Sequence, residues 1–248
     1  MINQITEIIN VADHIAMNLY GRERGRLKAD GTWATRADRY IESFLRDEFH
    51  ALFEAHIFGE EGGWTGEKSA PYVIIIDPIE GTGPFRDQIP IWGISVAIFR
   101  EGQPWLGIFS MPAANHFFTG EIGKGALWNG ESITTPATPI TKSSYLGVSS
   151  DAHRWNLKGY PGKIRALGVS GYHVILVASG GLQATLLTRF HFYDIAAAAI
   201  ILWAAGGNLY YLSGQPVSPT DIINLQEPAE AVLACHPDDF EETRRYIH

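Results

Sequence analysis

Tyr72-Val73-Ile74-Ile75-Ile76-Asp77-Pro78-Ile79-Glu80-Gly81-Thr82 is the stretch that most limits the folds open to this chain, because an apolar run stops abruptly at two carboxylates. A run of β-branched residues bounded by Pro and Gly reads as a strand buried on both faces, which requires structure packed above and below it. Pro78 cannot continue a central strand, and Gly81 tolerates backbone angles that other residues avoid, so a turn is expected there with carbonyls and amides free. Asp77 and Glu80, three positions apart on such a turn, can converge on one point. Buried together without a cation they would repel and one would keep its proton, so a metal ion is their natural partner.

A chain of 248 residues with 46% hydrophobic content can bury a large core, as one domain or as two closely packed halves. The formal charge of −8 and pI near 5.6 argue against a nucleic-acid partner, which would need a basic stripe. Part of the acidic excess is expected to be cation-ligand charge. One cysteine, Cys235, excludes an internal disulfide framework and fits a reducing compartment, so a cytoplasmic location is expected. No apolar stretch approaches the roughly 20 residues that span a bilayer, and Glu7 and Asp13 stand where a secretory leader would be basic and then apolar. No membrane partner is expected.

Ile5, Ile8, Ile9, Ala12, Ile15, Ala16 and Leu19 recur at three- and four-residue steps and predict a first helix. Gly21 to Gly31 reads as a mobile basic loop. Thr35 is a fitting N-cap for a second helix through Ala37, Tyr40, Ile41, Phe44, Leu45, Phe49 and Leu52, with Asp38 in its first turn, where the helix dipole alone favours an acid. Glu60 and Glu61 then lie among the glycines of Phe58-Gly59-Glu60-Glu61-Gly62-Gly63, shortly before the apolar run, and two acidic clusters so close together point to a divalent-cation site.

Gly83 to Pro90 is expected to be a loop because of its two prolines. Trp92–Phe99 and Trp105–Met111 read as a hairpin turning at Arg100-Glu101-Gly102-Gln103, followed by short strands at Asn115–Thr119 and Ala126–Trp128. The Thr- and Pro-rich stretch 136–141 suggests a boundary between an N-terminal half, 1–140, and a C-terminal half, 141–248. In the second half a strand is expected at Tyr145–Ser150, an apolar helix at Gly171–Ser179 and another strand at Leu182–Phe192. The last would deliver Asp194 to the start of a buried helix stopped by Gly206-Gly207, where the acid serves either as a cap or as a third metal ligand. A strand at Val232–Cys235 and a short polar helix from Pro237 complete the chain.

Gly59-Glu60-Glu61, Asp77-Pro78-Ile79-Glu80-Gly81-Thr82, Tyr193-Asp194-Ile195-Ala196-Ala197 and Ala205-Gly206-Gly207 resemble, in order and spacing, the signature blocks of the inositol monophosphatase family of Mg²⁺-dependent, lithium-sensitive phosphatases. Further echoes are Lys28-Ala29-Asp30-Gly31 with Thr35-Arg36-Ala37-Asp38, Gly123-Lys124-Gly125-Ala126 with Asn129-Gly130, and Gly168-Val169-Ser170. The resemblance implies a layered α/β/α/β/α sandwich of the inositol monophosphatase and fructose-1,6-bisphosphatase type, a homodimer, and a small phosphate monoester as substrate. By position it implies that Glu60, Asp77 and the Ile79 carbonyl hold one Mg²⁺, and that Asp77, Glu80 and Asp194 hold a second. Glu60 would help hold a third ion, and Mn²⁺ would substitute. Thr82 and Asp38 would orient and deprotonate water with Glu60, the amides of Gly81 and Thr82 would grip phosphate, and Lys28 would neutralise its charge. Gly168, Ser170 and Arg189 fall on the leaving-group side, with Arg165, Tyr172 and His173 as further candidates.

The chemistry stands beside the resemblance. A phosphate dianion repels hydroxide and its alkoxide leaves poorly, so positive charge is needed on both the attacking and the departing oxygen. Carboxylates holding hard Mg²⁺ provide that charge. Thr82 has no Ser-His-Asp arrangement around it and is not expected to be a covalent nucleophile, and none of the nine histidines shows a zinc spacing with cysteine. The chain departs from the family pattern in four places. Glu80 stands where the family carries Asp, moving the carboxylate outward by about 1.5 Å. Gly83-Pro84-Phe85 replaces a Thr-Asn-Phe type of segment, Tyr193 replaces Trp, and Leu187 occupies the position of an acid that bonds a sugar hydroxyl in inositol-specific members. Histidinol phosphate and 3′-phosphoadenosine 5′-phosphate therefore stand beside inositol-1-phosphate as substrates, and a catalytically impaired relative that binds an anion or a partner is the alternative raised by Glu80. Paired acids of a glycosidase are a further reading, but such a pair would not need Gly81 and Thr82 to face an anion.

Overall fold

The computed structural model describes residues 1–22, 25–27 and 33–248. Helix α1 (Ile2–Leu19) leads to a two-stranded ribbon, β1 (Arg26–Leu27) and β2 (Trp33–Ala34), and then to α2 (Arg36–Leu52). Strands β3 (Ala55–Gly59), β4 (Gly63–Thr65) and β5 (Tyr72–Glu80) precede a short α3 (Thr82–Arg86). The run β6 (Gly93–Arg100), β7 (Gln103–Met111), β8 (His116–Glu121), β9 (Gly125–Trp128) and β10 (Glu131–Ile133) follows. The remainder is β11 (Tyr145–Val148), β12 (Lys163–Arg165), α4 (Ser170–Ala178), β13 (Ala184–Leu187), α5 (Phe192–Ala204), β14 (Asn208–Tyr211), α6 (Pro219–Ile223), β15 (Val232–Cys235) and α7 (Phe240–Arg244).

Among the described residues these strands make an eight-stranded sheet in the order β10-β9-β8-β7-β6-β5-β3-β4 and a five-stranded sheet in the order β12-β11-β13-β15-β14. Three apolar layers bind five structural ones. Ile5, Ile9, Ile41, Leu45 and Phe49 of α1 and α2 meet Ile74, Ile76, Val96 and Ile98 on one face of the large sheet. Ile75, Ala97, Phe99 and Phe109 on its other face meet Val174, Ile175 and the Ile195–Leu202 run of α4 and α5, which also cover Leu187, Val232 and Ala234 of the small sheet. The outer face of that sheet, with Leu146, Leu186, Leu233 and Cys235, is closed by Phe240 and Ile247. The result is the α/β/α/β/α sandwich. Alternation along β5 explains its continuous apolar spelling, since Ile74 and Ile76 face one layer and Ile75 the next.

Several local expectations are corrected. Strand β5 does not stop at Pro78 but runs to Glu80, because the register against β6 shifts between Asp77 and Glu80 and the parallel neighbour β3 has already ended at Gly59. A proline at such an irregularity removes no ladder bond. Residues 83–90 are not all loop, for α3 tolerates Pro84 in its first turn, where the missing N–H has no intrahelical acceptor. Phe85 of α3 is buried edge-on against Trp92 at 4.8 Å. The strand expected over Leu182–Phe192 is only β13, and Phe192 already belongs to α5. Strands β3, β4, β10, β12 and β14 and helix α6 had no predicted counterpart. Within the expected basic loop Arg26–Leu27 form β1, which pairs with β2 beyond the loop, while Lys28 lies outside the described residues.

One acid of α1 is half-buried away from the main cluster. Asp13 Oδ2 accepts the Ser110 hydroxyl of β7 at 2.6 Å, and among the described residues no donor reaches its buried Oδ1. Burial pushes its pKa up to about 6 against the lowering effects of Ser110 and His14. The folded state therefore keeps a proton that the unfolded chain has released between about pH 4 and pH 6, and stability falls as pH rises through that window. Asp13→Asn is expected to stabilise the protein by about 1–2 kcal/mol at pH 8 and to change little at pH 4. Urea unfolding at the two pH values is the check, and equal effects at both would refute it.

Candidate active site

Thr35 ends an extended segment and caps α2. Its hydroxyl accepts from the amides of Ala37 and Asp38, while Asp38 Oδ2 accepts from the amide and hydroxyl of Thr35 at 2.7 and 2.6 Å. This capping box occupies one oxygen of a wholly buried Asp38 and leaves Oδ1 turned to Thr82, whose hydroxyl lies 3.3 Å away. The same hydroxyl lies 3.2 Å from the Ile79 carbonyl, so it has one proton for two acceptors. Burial, then opposed by the Thr35 bonds, pushes the Asp38 pKa up to about 6, with Glu60 and Glu61 adding like charge.

Glu60 follows β3, and its amide donates to the Ile76 carbonyl at 3.2 Å, which sets it beside Asp77. One carboxylate oxygen each from Asp38, Glu60 and Glu61 come within 4.8 Å of one another, a geometry that could hold a metal ion. Asp77, 2% exposed, accepts the Ile79 amide at 3.1 Å. Its pKa is driven well up by burial first and then by the charges of Glu60, Asp194, Glu80 and Asp38. Four acids, one just after β3 and the others on β5, α2 and α5, thus act on one buried carboxyl. Glu80 is 5% exposed, and burial and Asp194 likewise push its pKa well up against the amides of Gly171 and Ser170. Among the described residues no donor reaches the buried Glu80 Oε2. A buried orphan acceptor amid mutually repelling carboxylates fits a divalent cation, and oxygen-only donors fit a hard one.

Of the two roles the sequence left open, Asp194 takes that of the cap, and it also lies within reach of the other acids. Its Oδ2 accepts the His191 amide at 2.8 Å and closes a capping box on α5, and its charge reaches Asp77 and Glu80. Tyr193 beside it stacks on His191 and tilts against Phe58 of β3 at 5.5 Å, so its ring bridges the two halves. Gly81 takes φ +97°, a conformation in which side chains are strained, and opens α3 between Glu80 and Thr82.

The leaving-group candidates divide. Gly168, Ser170 and Arg189 line a cavity of about 340 Å³ together with Ser149, Asp151 and Arg154, and Arg189 extends largely into solvent with its Nε 3.9 Å from Asp151. Asp151 also accepts a short hydrogen bond from Thr188. His173 lines the same cavity, accepts the Leu167 amide at 3.0 Å and is pushed by burial to a pKa of about 4. Arg165 instead lies over the Tyr145 ring. Leu187 is wholly buried in the middle core, so its position offers no partner to a hydroxyl.

The sequence reading missed Glu42 and Arg46. Glu42 Oε2 and Oε1 accept the amides of Glu61 and Gly62 at 2.7 and 2.8 Å. Arg46 holds Glu42 at 3.0 Å and donates to the carbonyls of Ile57 and Gly63 and to Thr65. The pair fixes the turn that carries Glu60 and Glu61. Its signal was an acid and a base four residues apart on the face of α2 that also bears Asp38 and Leu45.

A five-layer sandwich that gathers buried carboxylates between its layers is suited to a hard cation, and the family that matches it is one of phosphoric monoester hydrolases. The chain belongs to the inositol monophosphatase family, whose profile matches residues 3–243. It is similar to a protein of Arabidopsis thaliana named bifunctional phosphatase IMPL2, chloroplastic, with 30% identity over 198 residues, 76% of this chain and 57% of that protein. The chain thus spans little more than half the length of that relative. A histidinol-phosphatase of Chlorobaculum parvum is 29% identical over 84% of this chain and 85% of its own. The extragenic suppressor protein suhB of Bartonella henselae superposes with a TM-score of 0.87 over 99% of this chain and 97% of its own at 21% identity, which shows the shared fold. Among the described residues no helix is long and apolar enough to cross a membrane.

Proposed function

We propose that the chain is a Mg²⁺-dependent phosphomonoesterase that hydrolyses a small polar alcohol phosphate of inositol-1-phosphate-like size by attack of water. The observation that carries this reading is the buried Asp77 carboxyl ringed by Glu60, Glu80, Asp194 and Asp38. Glu60, Asp77, the Ile79 carbonyl, Glu80 and Asp194 would hold two Mg²⁺, with Glu60 sharing a third and Mn²⁺ able to substitute. Cations held there supply positive charge against the phosphoryl and leaving oxygens and acidify the attacking water.

The chain's own groups do the rest. Thr82 donates its hydroxyl proton to Asp38 Oδ1, which leaves the hydroxyl oxygen free to accept from the water, and Glu60 completes that orientation. Asp38 suits the role because its other oxygen is fixed by Thr35 and burial raises its affinity for the proton. The amides of Gly81 and Thr82 would bind phosphate oxygens, and Lys28, outside the described residues, would neutralise the entering dianion. Gly168, Ser170 and Arg189 would meet the leaving group in the cavity they line. Thr82→Val keeps the shape and removes the donor, and kcat is expected to fall about 10²-fold with KM within a few-fold. Steady-state kinetics test it, and a rise in KM alone would assign Thr82 to binding.

With Leu187 buried in place of a hydroxyl partner, inositol has no special claim on the cavity. Inositol-1-phosphate, histidinol phosphate, fructose-1,6-bisphosphate and 3′-phosphoadenosine 5′-phosphate form the test panel. Mg²⁺-dependent phosphate release from at least one supports the proposal. Release from none, with activity gained in Glu80→Asp, would mark an impaired relative that binds an anion or a partner. The reading includes a cytoplasmic homodimer, and sedimentation at the 27.4 kDa of one chain would refute the dimer.

A further inference from the structure

The two oxygens of the Glu80 carboxylate have different partners. Oε1 accepts the backbone amides of Ser170 at 2.8 Å and Gly171 at 3.3 Å, which are the first two residues of α4. Oε2 is buried, and no donor among the described residues reaches it. The surroundings are tight on both sides of this contact. A Cβ on Gly81 would come within 2.9 Å of Val169, and one on Gly171 within 2.8 Å of the Asp194 backbone carbonyl. The first turn of α4 is therefore wedged between the end of β5 and the start of α5, at the point where Ser170 borders the 340 Å³ cavity.

The reach of the side chain decides whether this contact exists. Shortening Glu80 by one methylene withdraws its carboxylate by about 1.5 Å, which takes contacts of 2.8 and 3.3 Å beyond hydrogen-bonding range unless the helix follows. The departure from the family's Asp thus has a structural use in this chain. First-turn amides of a helix have no intrahelical acceptor, and here Glu80 provides one from the other half of the molecule.

We infer that Glu80 is a positioning residue that ties the leaving-group helix α4 to the carboxylate cluster through Oε1, withholds the Ser170 and Gly171 amides from substrate, and leaves Oε2 for a cation. Leaving-group recognition then falls to side chains around the cavity, Arg154, Arg189 and Asp151 among them, and not to the backbone of α4. Only the assignment of Oε2 rests on the cation-dependent reading proposed above.

Amide hydrogen exchange on the full chain, resolved by NMR, tests the tie, and Mn²⁺ calorimetry tests the free oxygen. Ser170 and Gly171 are expected to exchange at least tenfold more slowly in the wild type than in Glu80→Asp. Glu80→Gln keeps an acceptor at the same reach, so protection should stay within threefold of wild type while Mn²⁺ affinity falls tenfold or more. Equal exchange in the wild type and Glu80→Asp overturns the inference, as does loss of protection in Glu80→Gln with unchanged Mn²⁺ binding. If Glu80→Asp does not fold, the wild type decides alone, since unprotected amides at both positions refute the tie. Protection as expected in a wild type that binds no Mn²⁺ upholds the tie and overturns the cation-dependent function instead.

Discussion

Asp77→Asn is expected to lower kcat/KM by at least about 10³-fold, roughly 4 kcal/mol of transition-state stabilisation, while raising the melting temperature of the cation-free protein. Both effects come from one cause. Asp77 is 2% exposed, and Glu60, Asp194, Glu80 and Asp38 all act on it with like charge. In the absence of cation that cluster opposes folding, and an amide of the same shape relieves it. With cation the sign reverses, because binding to the folded state alone stabilises by mass action, and the amide is a far poorer ligand. The melting temperature of the wild type should therefore climb with Mg²⁺ or Mn²⁺, and that of the variant should stay flat. A variant that still responds to cation, or turns over within tenfold of wild type, would remove Asp77 from the centre of the site.

Lower pH should mimic the substitution. Burial and like charge hold the folded Asp77 pKa above its unfolded value, and burial does the same for Asp38, to about 6. The cation-free protein is thus most stable below the unfolded carboxylate range and loses that advantage as pH rises through the raised values. Activity should run the opposite way, falling in acid as the cluster takes up protons in place of cations.

Glu42→Ala carries the largest expected loss of stability, about 3–5 kcal/mol, because it strands the Arg46 guanidinium in the interior. Glu42 is 3% exposed and serves Arg46 and the amides of Glu61 and Gly62 at once. Urea unfolding measures the loss. Arg46→Met combined with Glu42→Ala should recover part of it, since no charge is then left without a partner, and a strictly additive double variant would argue against the pairing. Cation affinity should fall together with stability, for the turn bearing Glu60 is held by these bonds.

Much of this arrangement was legible in the sequence because it is written in local patterns. The helical stripe of α1, the Thr35 cap with Asp38 and the hairpin through Glu101-Gly102 each depend on a few adjacent residues, and each is present. Strand β3 escaped notice because five residues between a helix end and a glycine cluster are too few to show a period, and pairing with β5 and β4 makes them a strand. Pro78 misled for the complementary reason, since its rule assumes a neighbour on each side. The acids were recognisable as a group through their spelling, whereas the use of Glu80 was not. Its partners are backbone amides about ninety residues away, and an amide leaves no trace in the identity of the residue that bears it.

The middle apolar layer, shared by both sheets through α4 and α5, means that neither half of the chain is self-sufficient. A cut near residue 140 would leave each fragment with a greasy flank that only the other can cover. The fragments would accordingly be insoluble apart and recover a working hydrolase when refolded in one vessel. Kinship in this lineage should therefore run through the whole sandwich, with neither sheet borrowed by an unrelated architecture.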